Sequence, residues 1–167
     1  SAVSIITKGK KSFDKDGKIA AEYQPDTKYA SKLAQIFTAK KIGLSLDRNT
    51  FSINFLKKYF PSLERKDIST LNYLTALVIS NTLKKLVLSK YKVDTIAVSG
   101  GGIFNKTLIE NLQKLTQLDI INTIQLGIDP MAKEALAMAY FAWQTLNNQP
   151  LKLTNGEKTI LGEIILP

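Results

Sequence analysis

The chain has 167 residues, 44% of them hydrophobic and 22% charged, with a formal net charge of +9. It has no cysteine and no histidine, which excludes disulfides, thiolate nucleophiles, zinc ribbons, Ser-His-Asp triads and histidine metal sites. The length suits one domain with a real core, no apolar run is as long as a membrane span, and Ser1 to Lys11 lacks the apolar stretch of a signal peptide; a cytoplasmic chain without a membrane partner is expected.

Residues 2–9 are apolar and β-branched and fit either a strand or a short helix. Phe13-Asp14-Lys15-Asp16-Gly17 reads as a turn, because Asp and Gly tolerate its backbone angles. A calcium loop would need a ligand at Ser12 and a bidentate glutamate where Tyr23 stands, so that reading is rejected. Residues 26–40 predict a helix with Tyr29, Leu33, Ile36 and Phe37 on one face and Asp26 or Thr27 as its cap. Asp47 and Arg48 read as a solvated pair or a cap. Residues 49–60 predict another helix, with Phe51, Phe55, Leu56 and Tyr59 on its apolar side and Pro61 ending it.

The longest helical pattern covers 67–90, with Ile68, Leu71, Leu74, Leu77, Val78, Leu86 and Val87 on its apolar face. It leads into a β-branched strand at 94–98, then Ser99 and the glycines Gly100, Gly101 and Gly102. A helix over 105–116 follows, capped by Asn105, then a strand at 119–124. Asp129 and Pro130 have the chemistry of a helix start, and the helix predicted over 130–147 is apolar almost all round. Such a helix is expected to be buried between sheet and helices. Thr154-Asn155-Gly156 is a turn, and Ile160, Ile164 and Ile165 fit a closing strand. Helix, strand, helix, strand, helix implies a helix-rich α/β chain with a small parallel sheet.

The charge is uneven. Residues 1–92 hold 18 basic and 7 acidic side chains, net +11, whereas 93–167 hold 5 and 7, net −2. Nearly all the basic residues are lysine, and base readout favours arginine with interleaved aromatics. A solvated lysine surface is therefore expected, with no nucleic-acid partner. A nucleic-acid binder, the competing class, would show affinity falling steeply with salt.

Two places could carry chemistry. Strand, glycine loop and helix start together let a backbone approach a nucleotide closely, with free N–H groups at the helix start. The loop lacks the Gly-Lys-Ser/Thr of a P-loop and the full G-x-G-x-x-G fingerprint, so by itself it fits a tightly packed turn equally well. Glu134 is the second place. A carboxylate amid apolar residues must be paired, hydrogen-bonded or facing a cavity, unless it is exposed and complements the helix dipole.

Several segments occur in a telling order: Phe-Asp-Lys-Asp-Gly-Lys-Ile-Ala at 13–20, Val-Ser-Gly-Gly-Gly at 98–102 with Asn105, Leu-Gly-Ile-Asp-Pro-Met-Ala-Lys-Glu-Ala-Leu-Ala at 126–137, Phe141-Ala142-Trp143 with Thr145-Leu146, and Leu-Gly-Glu-Ile-Ile-Leu-Pro at 161–167. Together they resemble the C-terminal part of the anhydro-N-acetylmuramic acid kinase family. The resemblance implies an incomplete ribonuclease-H-like, actin-like ATPase lobe: one domain over 1–167, mainly helical over 1–92, with an α/β nucleotide-side unit over 93–167. It also implies ATP and Mg²⁺ as cofactors, and phosphorylation of 1,6-anhydro-N-acetylmuramic acid at O6. Water opens the anhydro bridge in the same reaction, giving N-acetylmuramic acid 6-phosphate in cell-wall recycling. By the same resemblance Gly100, Gly101, Gly102 and Asn105 bind nucleotide, and Glu134 binds the sugar.

Family features absent from this chain are the nucleotide motif and general-base Asp of the N-terminal lobe, and an Asp-Thr-Gly-Pro-Gly-Asn segment expected just before Ser1. Where the family has Lys-Ser-Thr-Gly-Arg-Glu, this chain has Ser45-Leu46-Asp47-Arg48-Asn49-Thr50. The expectation is a chain inactive alone, with no catalytic residue of its own, which self-associates or joins a missing N-terminal lobe. The alternative is a non-catalytic nucleotide- or partner-binding module.

Overall fold

The computed structural model describes residues 1–39, 52–153 and 156–161. The predicted features at Lys40, Ser45–Phe51, Thr154, Asn155, Ile164 and Ile165 lie outside the described residues.

Ser1 settles the ambiguity of the first segment. Its hydroxyl accepts the Ser4 N–H at 3.2 Å and caps helix α1, Ala2–Ile6. Asp26 does the same for α2, Thr27–Ala39, accepting the Tyr29 N–H at 2.8 Å. Helix α3 runs Ile53–Tyr59, and α4, Arg65–Leu83, begins with a capping box in which Asp67 accepts the Glu64 N–H at 2.7 Å. Past Leu83 the backbone widens into a π-type turn, Lys84–Leu88, within the stretch predicted as one long helix.

Helix α4 is the axis of the molecule. On one side it packs against α2, and Ala30, Leu33, Ala34, Phe37, Phe60, Leu74 and Val78 form the main core. Aromatic rings close that core: Tyr29 meets Phe60 edge-on at 5.5 Å, and Phe55 lies 5.7 Å from Phe37 and 5.0 Å from Tyr59. A smaller cluster of Val3, Ile19, Ala20 and Ile68 seats α1 and the following turns on α4.

On its other side α4 packs against α5, Lys106–Thr116. Helix α5 joins two parallel strands, β1 Thr95–Val98 and β2 Asp119–Asn122, paired from Thr95↔Asp119 to Val98↔Asn122. The predicted second strand stops short, because the Asn122 side chain accepts the Ile124 N–H at 3.0 Å and starts a 3₁₀ turn. Helix α6 spans Lys133–Leu146, and a small antiparallel pair, β3 Leu151–Lys152 with β4 Lys158–Thr159, follows. The helix-rich α/β character and the parallel sheet are as the sequence predicts.

Two expectations are corrected around α6. It starts at Lys133 rather than Pro130, because Asp129 accepts the Met131 N–H at 2.7 Å and caps a turn instead. It is also not buried: Leu136, Met138, Tyr140, Trp143 and Leu146 are all exposed, and Gln144 is its only buried residue among those described. The apolar periphery of α6 finds no cover among the described residues.

Candidate functional site

The glycine loop turns sharply out of β1. Gly100 has φ +81°, a conformation that side chains rarely adopt. Its N–H donates to the Pro130 carbonyl at 2.9 Å, tying the loop to the segment that opens α6. A 3₁₀ turn over Gly101–Phe104 then leads to Asn105.

Asn105 caps α5 as predicted, its Oδ1 accepting the Leu108 N–H at 3.0 Å. The same oxygen accepts from Asn72 Nδ2 at 3.1 Å, and Asn72 Oδ1 accepts from Asn111 Nδ2 at 3.0 Å. This amide relay welds the mouth of α5 to buried Asn72 on α4. No sequence spacing announces it, since the partners lie 33 and 39 residues apart.

The Phe13–Gly17 turn packs on the same spot. Asp14 accepts the N–H groups of Ile19 and Ala20 at 2.8 and 2.9 Å, consistent with a turn. Gly17 sits at φ +73°, and a Cβ there would lie 2.3 Å from Asn105 Oδ1. Thr107 Oγ1 donates to the Gly17 carbonyl at 2.8 Å. Gly17 is thus the glycine that close packing demands, and sequence reading took it only as part of a turn.

Between turn and loop lies a cavity of about 540 Å³, lined by Phe13, Asp14, Asp16, Gly101, Gly102, Phe104, Asn105, Leu108 and Met131. The structure therefore brings Gly101, Gly102 and Asn105 together, with Gly100 just outside. A Cβ built on Gly101 meets nothing within 4 Å, and one on Gly102 only makes ordinary contact with Leu108 at 3.9 Å. Tight packing thus does not explain glycine at 101. Open space remains in front of it.

Glu134 stands apart. It is exposed in the first turn of α6 and does not line this cavity. Of the two readings of this carboxylate, its exposure in the first turn matches the one that complements the helix dipole. Among the described residues no helix is long and apolar enough to cross a membrane.

The family model of anhydro-N-acetylmuramic acid kinase matches residues 3–165. The chain belongs to the anhydro-N-acetylmuramic acid kinase family. It is 31% identical to an anhydro-N-acetylmuramic acid kinase of Caldanaerobacter subterraneus over 98% of its own length. Relatives of the same name from Hydrogenovibrio crunogenus and Clostridioides difficile are 36% and 32% identical over 85% and 91% of the chain. The chain spans 44%, 39% and 41% of these three relatives' lengths. In this member of the anhydro-N-acetylmuramic acid kinase family, the described cavity is walled by the 13–17 turn, the glycine loop and the start of α5.

Proposed function

We propose that this chain is the C-terminal, nucleotide-holding lobe of an ATP-dependent sugar kinase with an actin-like, ribonuclease-H-like fold. Within that lobe residues 1–92 are the helical part and 93–167 the α/β unit against which ATP lies. Gly100, Gly101, Gly102 and Asn105 form the nucleotide wall. The supporting observation is the open space before Gly101, beside a cavity of about 540 Å³.

In the complete enzyme the substrate is 1,6-anhydro-N-acetylmuramic acid. Its O6 receives the γ-phosphoryl group of ATP while water adds at the anomeric carbon and opens the bridge, giving N-acetylmuramic acid 6-phosphate for cell-wall recycling in the cytoplasm. Phosphoryl transfer rests on positioning and charge neutralisation from both sides of a cleft. This chain contributes one side, with Glu134 reaching toward the sugar, and the general base comes from the other lobe. Mg²⁺ takes few protein ligands and is carried largely by the nucleotide's phosphates, and among the described residues no group of three or more Asp or Glu side chains is gathered for a metal.

The exposed apolar face of α6 and the two-stranded sheet favour association, with the N-terminal lobe or with a second copy. Calorimetry and a coupled kinase assay test the reading together. ATP should bind the chain, Gly101→Trp should fill the space and abolish binding, and the chain alone should give no sugar phosphate. Robust turnover by the chain alone would overturn the single-lobe reading. Unchanged ATP affinity in Gly101→Trp would overturn the glycine-loop assignment.

A further inference from the structure

The turn at 13–18 separates two cavities of opposite character. On the glycine-loop side the walls are Phe13, Phe104, Leu108 and Met131, and among the described residues no lysine or arginine lines the space. Among the described residues its charged lining groups are Asp14 and Asp16. Asp14 is held in place by two backbone N–H groups, and Asp16 lies 3.5 Å from Lys18. Across the turn is a cleft of about 360 Å³ that shares Phe13 and Asp14 but is lined by Lys10, Lys11, Lys15 and Lys18. On the first side a polyphosphate meets two carboxylates, and among the described residues the nearby cation, Lys18, is paired with Asp16. A flat, uncharged heteroaromatic ring meets apolar, aromatic walls there.

The two rings are unusually bare for phenylalanine. Phe13 is 65% and Phe104 54% exposed, and neither has a ring partner among the described residues. They project from separate segments, one before Gly17 and one after the glycines. Gly17 fixes their separation, because its backbone is packed against Asn105 and Thr107. Two exposed rings on a rigid mount suit stacking against a base.

We propose that Phe13 and Phe104 grip the nucleobase, so that this cavity holds the base end of the nucleotide and its phosphates lie outside it. The proposal rests on the glycine-loop reading above and assigns to that site the part of the ligand it recognises. Phe13 and Phe104 are then affinity- and specificity-determining residues contributed by the Phe-Asp-Lys-Asp-Gly turn and the 3₁₀ turn.

Calorimetry of the whole chain with ATP, adenosine and inorganic tripolyphosphate tests it. Adenosine should bind. Phe13→Ala and Phe104→Ala should each weaken adenosine and ATP about tenfold. Tripolyphosphate binding should be unchanged in both, and Phe13→Tyr should retain wild-type affinity. Both rings are exposed, so the alanine variants should keep the fold, which circular dichroism verifies. Wild-type ATP and adenosine affinity in both alanine variants would overturn the proposal. If Gly101→Trp abolishes ATP binding in that same case, the glycine-loop reading survives without the base grip. If the phenylalanine variants weaken binding but Gly101→Trp does not, the base grip survives and the glycine-loop reading falls. Absence of any binding of adenosine and ATP to the wild-type chain would overturn both.

Discussion

Helices α2 and α6 are both rich in apolar residues, yet they meet opposite surroundings. Helix α2 keeps Lys28, Ser31, Lys32 and Gln35 off its apolar stripe, and its inward residues Ala30, Leu33, Ala34 and Phe37 are buried against α4. Helix α6 has apolar residues on nearly every side, so no single neighbour can cover it. Leu33 is 2% exposed and Leu146 is 73% exposed. A one-sided stripe is satisfied by one neighbouring helix, whereas the all-round apolar helix is left largely uncovered by the described residues.

The sharpest way to break this comparison is a pair of alanine substitutions read by urea unfolding. Leu33→Ala should cost about 2–5 kcal/mol, since it leaves a cavity in the main core. Leu136→Ala should stay within about 0.5 kcal/mol, because its side chain is already in water. Equal costs would mean that α6 is covered in solution.

A second pair compares two glycines. Gly17→Ala should cost about 1–3 kcal/mol, because φ +73° is strained for alanine and the new methyl meets Asn105 Oδ1. It should also weaken nucleotide binding by displacing the turn that carries Phe13. Gly101→Ala, facing empty space, should leave thermal unfolding unchanged within about 0.5 kcal/mol.

The third prediction concerns association. Sedimentation velocity should show concentration-dependent self-association of the chain, and Leu136→Glu with Trp143→Glu should shift it toward monomer with little loss of stability. A wild-type chain that stays monomeric at high concentration would show that the bare helix is tolerated by itself.

The smallest expected effect lies in the first region. Arg65 donates two hydrogen bonds to the Glu22 carboxylate, and this contact, the largest cause, holds Glu22 below its ordinary value of 4.5. A lowered folded-state value means that the contribution is complete above pH 4.5 and is lost as pH falls through the lowered value. Both side chains lie at the exposed surface, so the loss should be slight. Glu22→Gln should flatten the acid limb of the unfolding profile, and an unchanged limb would remove the pair from the account.

Local chemistry made much of this readable. The caps at Asp26 and Asn105, the helical periods of α2 and α4, and the order strand–helix–strand all rest on neighbours within a turn or two. Burial of α6 was misjudged because hydrophobicity tells what a helix can bury, not whether a neighbour is there. The β3–β4 pair went unseen because two residues per strand carry no period. Along the cavity wall, Gly101, Gly102 and Asn105 stand out in the local strand–loop–helix pattern, whereas Phe13 and Met131 reach it only through tertiary packing. The Asn105–Asn72–Asn111 relay was invisible for the same reason.

The hydrogen bond from Gly100 to Pro130 ties the glycine loop to the segment that leads into α6. Pro130 lies just before α6, so a contact that restrains this segment should also restrain the glycine loop. The Gly100 amide is a built-in reporter of that restraint. Its hydrogen exchange should slow when α6 is covered, before any substrate is present.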